Sequence, residues 1–64
     1  MCEATAYLLN KDGDEEVLLA DVDVIEPTEG GKVRLVSIYG EQKILPGRIK
    51  SMSLVNHRVV LTQD

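Results

Sequence analysis

With no tryptophan, no phenylalanine, one cysteine, one histidine and two prolines in 64 residues, this chain has little with which to line a catalytic pocket. An enzyme needs several polar groups converging in a largely apolar cleft, so a self-contained catalyst is not expected. A single cysteine cannot staple the domain internally. The longest apolar runs, Tyr7-Leu8-Leu9 and Val17-Leu18-Leu19-Ala20, fall far short of the roughly 18 to 20 residues that span a bilayer. Met1-Cys2-Glu3 carries neither the basic segment nor the apolar stretch of a secretory signal, and the cytoplasm is the expected location. A second folding unit does not fit either. Residues 1–64 read as one domain, and a chain of this size buries only about 60% of its unfolded surface.

What is present points to a folded chain. Apolar residues make up 44% and charged residues 28%, with a net charge of −4, a balance that does not force disorder. The charge is unevenly spread. Residues 1–30 hold nine acids against Lys11 alone, a balance of −8, whereas from Gly31 onward six bases face Glu41 and Asp64, a balance of +4. Such a dipolar chain neutralises itself across a sheet, attracts a second copy in opposed orientation, or offers a basic face to a partner; internal neutralisation is the first expectation.

Valine and isoleucine supply twelve residues and alanine three, which favours pleated surfaces, because branching at Cβ costs rotamer freedom on a helix. Ala4, Ala6 and Leu8 alternate with Glu3, Thr5 and Tyr7, and Val33 and Leu35 with Lys32 and Arg34, in the two-residue period of half-buried strands. Turn chemistry falls between the runs: Asn10-Lys11-Asp12-Gly13-Asp14, Pro27-Thr28-Glu29-Gly30-Gly31, Gly40 and Asn56-His57. Pro46-Gly47 should bend the strand it interrupts. The pattern predicts strands over 2–9, 15–25, 32–39, 41–54 with a kink at 46–47, and 58–62; a short helix over Glu15–Ala20 is the competing reading of that segment. Five short antiparallel strands do not fill two sheets, so an all-β, five- to six-stranded SH3-like or OB-like barrel is expected, the SH3-like form first because the connections are short.

The alternation assigns the core to Ala4, Ala6, Leu8, Val17, Leu19, Val22, Val24, Val33, Leu35, Ile44, Ile49, Leu54, Val59 and Leu61. Val36, Ile38, Val55 and Val60 fall out of phase. Apolar residues on the second face of a small barrel await a second chain, and a homodimer is therefore expected.

Cys2 is the one unusual feature. Loss of Met1 would leave a free α-amine beside the thiol, and the two close a five-membered chelate on a metal ion. The amine titrates near about 8 and the thiol near about 8.5, so both are accessible ligands around neutral pH. Two chains about a twofold axis would complete a four-coordinate set of nitrogen and sulfur, which suits nickel(II) or copper(II) better than zinc; nickel(II) is preferred because copper(II) tends to oxidise paired thiolates. The competing reading is a small apolar residue at the start of a strand, since no CxxC, HxH or HExxH spacing supports a site. If Met1 is retained, Met1 and Glu3 are supplementary donors. His57 reads as a solvated turn residue, unless the last strand pairs beside the first. Asp12-Gly13-Asp14 lacks the spacing of a calcium loop.

A different surface is offered by Lys32, Arg34, Lys43, Arg48, Lys50 and Arg58. Lys32/Arg34 and Arg48/Lys50 each place two bases on one side of a strand, a stripe that would contact nucleic acid. Tyr7 and Tyr39 are the only aromatic platforms and the net charge is acidic, so nucleic acid is the secondary reading. A barrel that binds only protein, with neither metal nor RNA, is a third.

The opening Met1-Cys2, the stretch Gly31–Ile44 (GKVRLVSIYGEQKI), Gly47-Arg48-Ile49-Lys50 and the closing Asn56-His57-Arg58-Val59-Val60-Leu61 together resemble the small CooT-type proteins, over nearly the whole chain. That family is associated with nickel handling beside carbon monoxide dehydrogenase, and many members carry the label of RNA-binding proteins. The resemblance implies an SH3-like or Sm-like barrel, a homodimer and one nickel(II) per dimer held through Cys2 of both chains, with a nickel enzyme as the expected client; no catalytic residues are expected from the composition.

Overall fold

The computed structural model describes residues 3–63. Six strands and no helix make up this part of the chain: β1 (Ala4–Leu9), β2 (Glu15–Thr28), β3 (Lys32–Ser37), β4 (Gln42–Pro46), β5 (Arg48–Ser53) and β6 (Arg58–Thr62). They form one sheet in the order β4-β3-β2-β1-β6-β5. The two edge strands, β4 and β5, are consecutive in the chain and separated only by Gly47, so the backbone itself carries one edge of the curled sheet round to the other. The result is the expected all-β, barrel-like curl, although the ladder stays open. No helix among the described residues is long and apolar enough to cross a membrane.

Strong curvature comes from β2. Its first half pairs with β1 and its second half with β3. Between them the ladder slips: Ala4 faces Val22 while Ala6 faces Leu19, and Asp21 adopts φ 55. An extra residue at such a point bends the strand and reverses which residues face inward. Asp tolerates the left-handed backbone better than most side chains, and its carbonyl accepts the amide of Ile38 at 2.8 Å.

Several sequence expectations are corrected by these slips. Leu19 and Val22 are both buried, and Ile25, out of the simple alternation, packs against the core, whereas Val17 is 62% exposed and Val24 36%. In β4, Leu45 pairs with buried Val33 and turns inward, leaving Ile44 opposite Arg34 on the outer face. Leu54 belongs to the β5–β6 turn and is exposed. The core is Ala6, Leu19, Val22, Val33, Leu35, Val59 and Leu61, flanked by Ala4, Leu8, Leu18, Ile25, Leu45 and Ile49. Val60, on the outer face opposite Tyr7, is nonetheless buried.

Boundaries move for local reasons. β2 runs through Pro27 to Thr28, beyond the predicted end at 25. β3 flanks this part of β2 and no ladder pairs its other side, so the missing proline N–H interrupts nothing. β3 ends at Ser37, whose hydroxyl accepts the amides of Tyr39 and Glu41 and so closes the turn to β4. Residues 15–20 are strand, not helix. The predicted strand over 41–54 is divided at Gly47 into β4 and β5, and ends at Ser53.

Candidate functional site

Cys2, the predicted metal ligand, and Met1 lie outside the described residues; the description begins with exposed Glu3 and with Ala4, the first residue of β1. What surrounds the start of β1 is set by an arrangement that sequence spacing leaves open. β6 pairs with β1 in parallel, Thr5 opposite Arg58, and the Thr5 amide donates to the carbonyl of His57 at 2.9 Å. Thus the last strand does pair beside the first, and the turn holding the only histidine is fastened to the beginning of β1. His57 itself sits at φ 54.

Beside this junction lies a groove of about 220 Å³. Ala4, Val22, Ile25, Leu54 and Val59 supply apolar walls, and Asp23, Met52 and His57 supply a carboxylate, a thioether and an imidazole. The imidazole has no hydrogen-bond or ion-pair partner among the described residues. Sequence reasoning missed Asp23 and Met52, because β2 and β5 are separated by β1 and β6 in the strand order and only the curl of the sheet brings the two residues to one groove.

The surrounding end of the sheet is apolar. Met52 lies among the last, turn-ward residues of β5 and Leu54 and Val55 follow it, and Ile38 and Tyr39 leave β3, at the same end at which β1 begins; their exposures run from 38% for Ile38 to 88% for Val55. At the opposite end the turns are polar: Asn10 receives the amides of Asp12 and Asp14 on its side-chain oxygen, and Glu29-Gly30-Gly31 turns β2 into β3. A second groove, of about 660 Å³, at that end is lined by residues including Lys11, Glu16, Arg48 and Lys50.

The six predicted basic contacts are not one free stripe. Arg34 donates to Glu26 at 2.7 Å and to Gln42 at 3.2 Å. Arg58 is paired with Glu15 and lies 4.4 Å from the centre of the Tyr7 ring. Lys43, opposite inward-facing Leu35, reaches over the sheet to the Leu18 carbonyl at 2.7 Å, on the side of β2 that no strand covers. Lys50 is the extra residue where the β5–β6 ladder slips between Ile49 and Ser51, and with Arg48 it lines the larger groove; Lys32 stands alone near the β2–β3 turn. The structure therefore separates these cations and engages Arg34, Lys43 and Arg58 internally. Glu26 and Glu15 belong to the acidic half and Arg34 and Arg58 to the basic half, so the uneven charge is partly neutralised across the sheet.

Comparison with known proteins agrees with the geometry. The family model described as CO dehydrogenase accessory protein CooT matches residues 1–62. The crystal structure of a Carboxydothermus hydrogenoformans protein assigned to CooT superposes with a TM-score of 0.87, is 41% identical, and is covered over 98% of both chains. No curated protein matches.

Proposed function

This chain belongs to the CooT family of CO dehydrogenase accessory proteins, and from that premise we propose that it is a non-enzymatic nickel(II) carrier in which a homodimer holds one ion through Cys2 of both chains for a nickel enzyme. The observation that carries this reading is the coincidence of two features: the exposed apolar residues Ile38, Tyr39, Met52, Leu54 and Val55 gather at the end of the sheet where β1 begins, and the proposed ligand lies two residues before β1 in the sequence. Burying that end between two copies removes apolar area from water, the driving force such a small domain is short of. Symmetry then supplies the second thiolate that one chain lacks.

The donor chemistry fits nickel. Two thiolates with two nitrogens, from the terminal amines or nearby backbone amides, form a set that nickel(II) accepts in a plane, while zinc prefers a tetrahedron of more thiolate or imidazole.

The test is nickel(II) titration of the untagged protein, read by thiolate-to-nickel charge-transfer absorption, with mass by sedimentation and intact mass to establish whether Met1 is removed. We expect one nickel per particle of twice 7.1 kDa. Cys2→Ala should abolish the band and weaken nickel at least about 100-fold, since thiolate is the strongest donor of the set. Leu54→Glu with Val55→Glu should return the particle to one chain and remove the band as well. Unchanged affinity in Cys2→Ala, or a nickel-loaded single chain, overturns the reading.

A further inference from the structure

We propose that His57, backed by the Met52 thioether, is a transfer ligand: its imidazole takes nickel(II) in the groove beside the start of β1 and exchanges it with the Cys2 site. The inference rests on the nickel reading of Cys2 and adds a donor that neither the family likeness nor the spacing of the sequence assigns. The observation is one of placement. The chain holds one histidine and two methionines, and the histidine and one of the methionines line the same groove of about 220 Å³. Imidazole and thioether are the borderline and soft donors that nickel shares with thiolate, whereas carboxylates elsewhere on the surface suit harder cations.

The fold holds the backbone that carries this donor in place. The His57 carbonyl is fixed at 2.9 Å by the Thr5 amide, three residues after Cys2, and the backbone is held at φ 54, a conformation that a non-glycine residue adopts at some cost. Its side chain makes no hydrogen bond or ion pair among the described residues. Val22, Ile25 and Val59 form the apolar floor of the groove, and the exposed His57 stands at its rim. Asp23, on the same groove, provides a negative charge that draws a cation in.

The step is ligand exchange without redox change. A ring nitrogen, its proton released to solvent if it carries one, donates its lone pair to nickel(II) as a water leaves. When a Cys2 thiolate or a client donor binds, the nickel–imidazole bond breaks and the ion moves on. The imidazole therefore governs rate more than final affinity.

The experiment uses the untagged full chain and nickel(II) chloride, read by nitrogen-15 and proton resonances of the imidazole together with the charge-transfer band. We expect the ring signals to respond at substoichiometric nickel. In His57→Asn, which keeps a residue tolerant of the left-handed backbone, the band should form normally while release to EDTA slows by about tenfold, the scale on which a supporting group tunes a metal site. In Cys2→Ala the ring should still respond at higher nickel, and adding Met52→Leu should weaken that response by about threefold or more. A ring that does not move while the wild-type band forms overturns the inference and leaves the Cys2 reading intact, as does an unchanged release rate in His57→Asn. A response in Cys2→Ala indifferent to Met52→Leu marks only an exposed imidazole and overturns it too. Absence of the band in the wild type overturns the Cys2 site instead, and ring movement sensitive to Met52→Leu would then support the groove as a nickel site of its own.

Discussion

Gly47→Ala is expected to destabilise the barrel more than any other single glycine substitution in the chain, lowering its melting point by about 12 °C or more. Gly47 sits at φ +145, and a Cβ added there would lie 2.8 Å from the carbonyl oxygen of Thr62, a backbone atom of β6. The neighbour cannot step aside, because Thr62 pairs with Leu9 on one side and Arg48 on the other. Rotating residue 47 instead moves the amide that donates to Gly31 at 2.9 Å. The backbone conformation alone costs about 1 to 3 kcal/mol for a residue with a side chain, and loss of the clash-free packing or of the hydrogen bond brings the total to about 3 kcal/mol or more. A domain of this size has about 3 to 10 kcal/mol in all.

The check is thermal unfolding followed by circular dichroism at fixed protein concentration, since association shifts the midpoint. A fall of about 12 °C or more is expected. Gly40→Ala is the control: φ is also positive, at +86, but nothing lies within 4 Å of the added carbon, so only about 1 to 2 kcal/mol of strain is expected. Similar melting points for the two variants would show that Gly47 is not where the edge strands are joined under tight constraint.

Leu61→Ala is expected to be nearly as damaging. Leu61 has no exposed surface and lies on β6 between Leu8 of β1 and Ile49 of β5, so its side chain closes the core where the first and last parts of the chain meet. Truncating a fully buried leucine costs about 2 to 5 kcal/mol, from lost transfer energy and the cavity left behind. The comparison that makes this informative is Val17→Ala. Simple alternation assigns Val17 to the core beside Leu19, yet it is 62% exposed opposite Tyr7, and its truncation should cost about 0.5 kcal/mol or less. Urea unfolding with unchanged slope reads both. If Val17→Ala lowered the midpoint as far as Leu61→Ala, the slip that turns Val17 outward would be wrong.

The two pairs of variants mark a boundary in how this chain is understood. Short-range chemistry was legible in the order of residues. Alternation in β1 and β3, the valine and isoleucine bias, and Asp-Gly, Gly-Gly and Tyr-Gly turns each act within a few residues, and they placed all six strand segments, counting the predicted kink at 46–47 as a division. The same was true of Ala6, Leu35, Val59 and Leu61, which keep the phase of their neighbours. The unusual position of Cys2 and the kinship with CooT were visible there as well.

Closure of the sheet decided the rest. Val17, Val24 and Ile44 turned outward and Ile25 and Leu45 inward because β2 slips against both β1 and β3, and β4 takes its phase from Val33. A slip has no local signature: it satisfies a ladder whose other member lies far along the chain. Nor does spacing reveal that β1 and β6, some fifty residues apart in the sequence, run in parallel and bring the His57 turn to the beginning of the fold. The groove with Asp23 and Met52, and the apolar end around it, exist only once those strands are side by side, because a contact between distant residues is set by the energy of the whole curled sheet and not by the preferences of either segment.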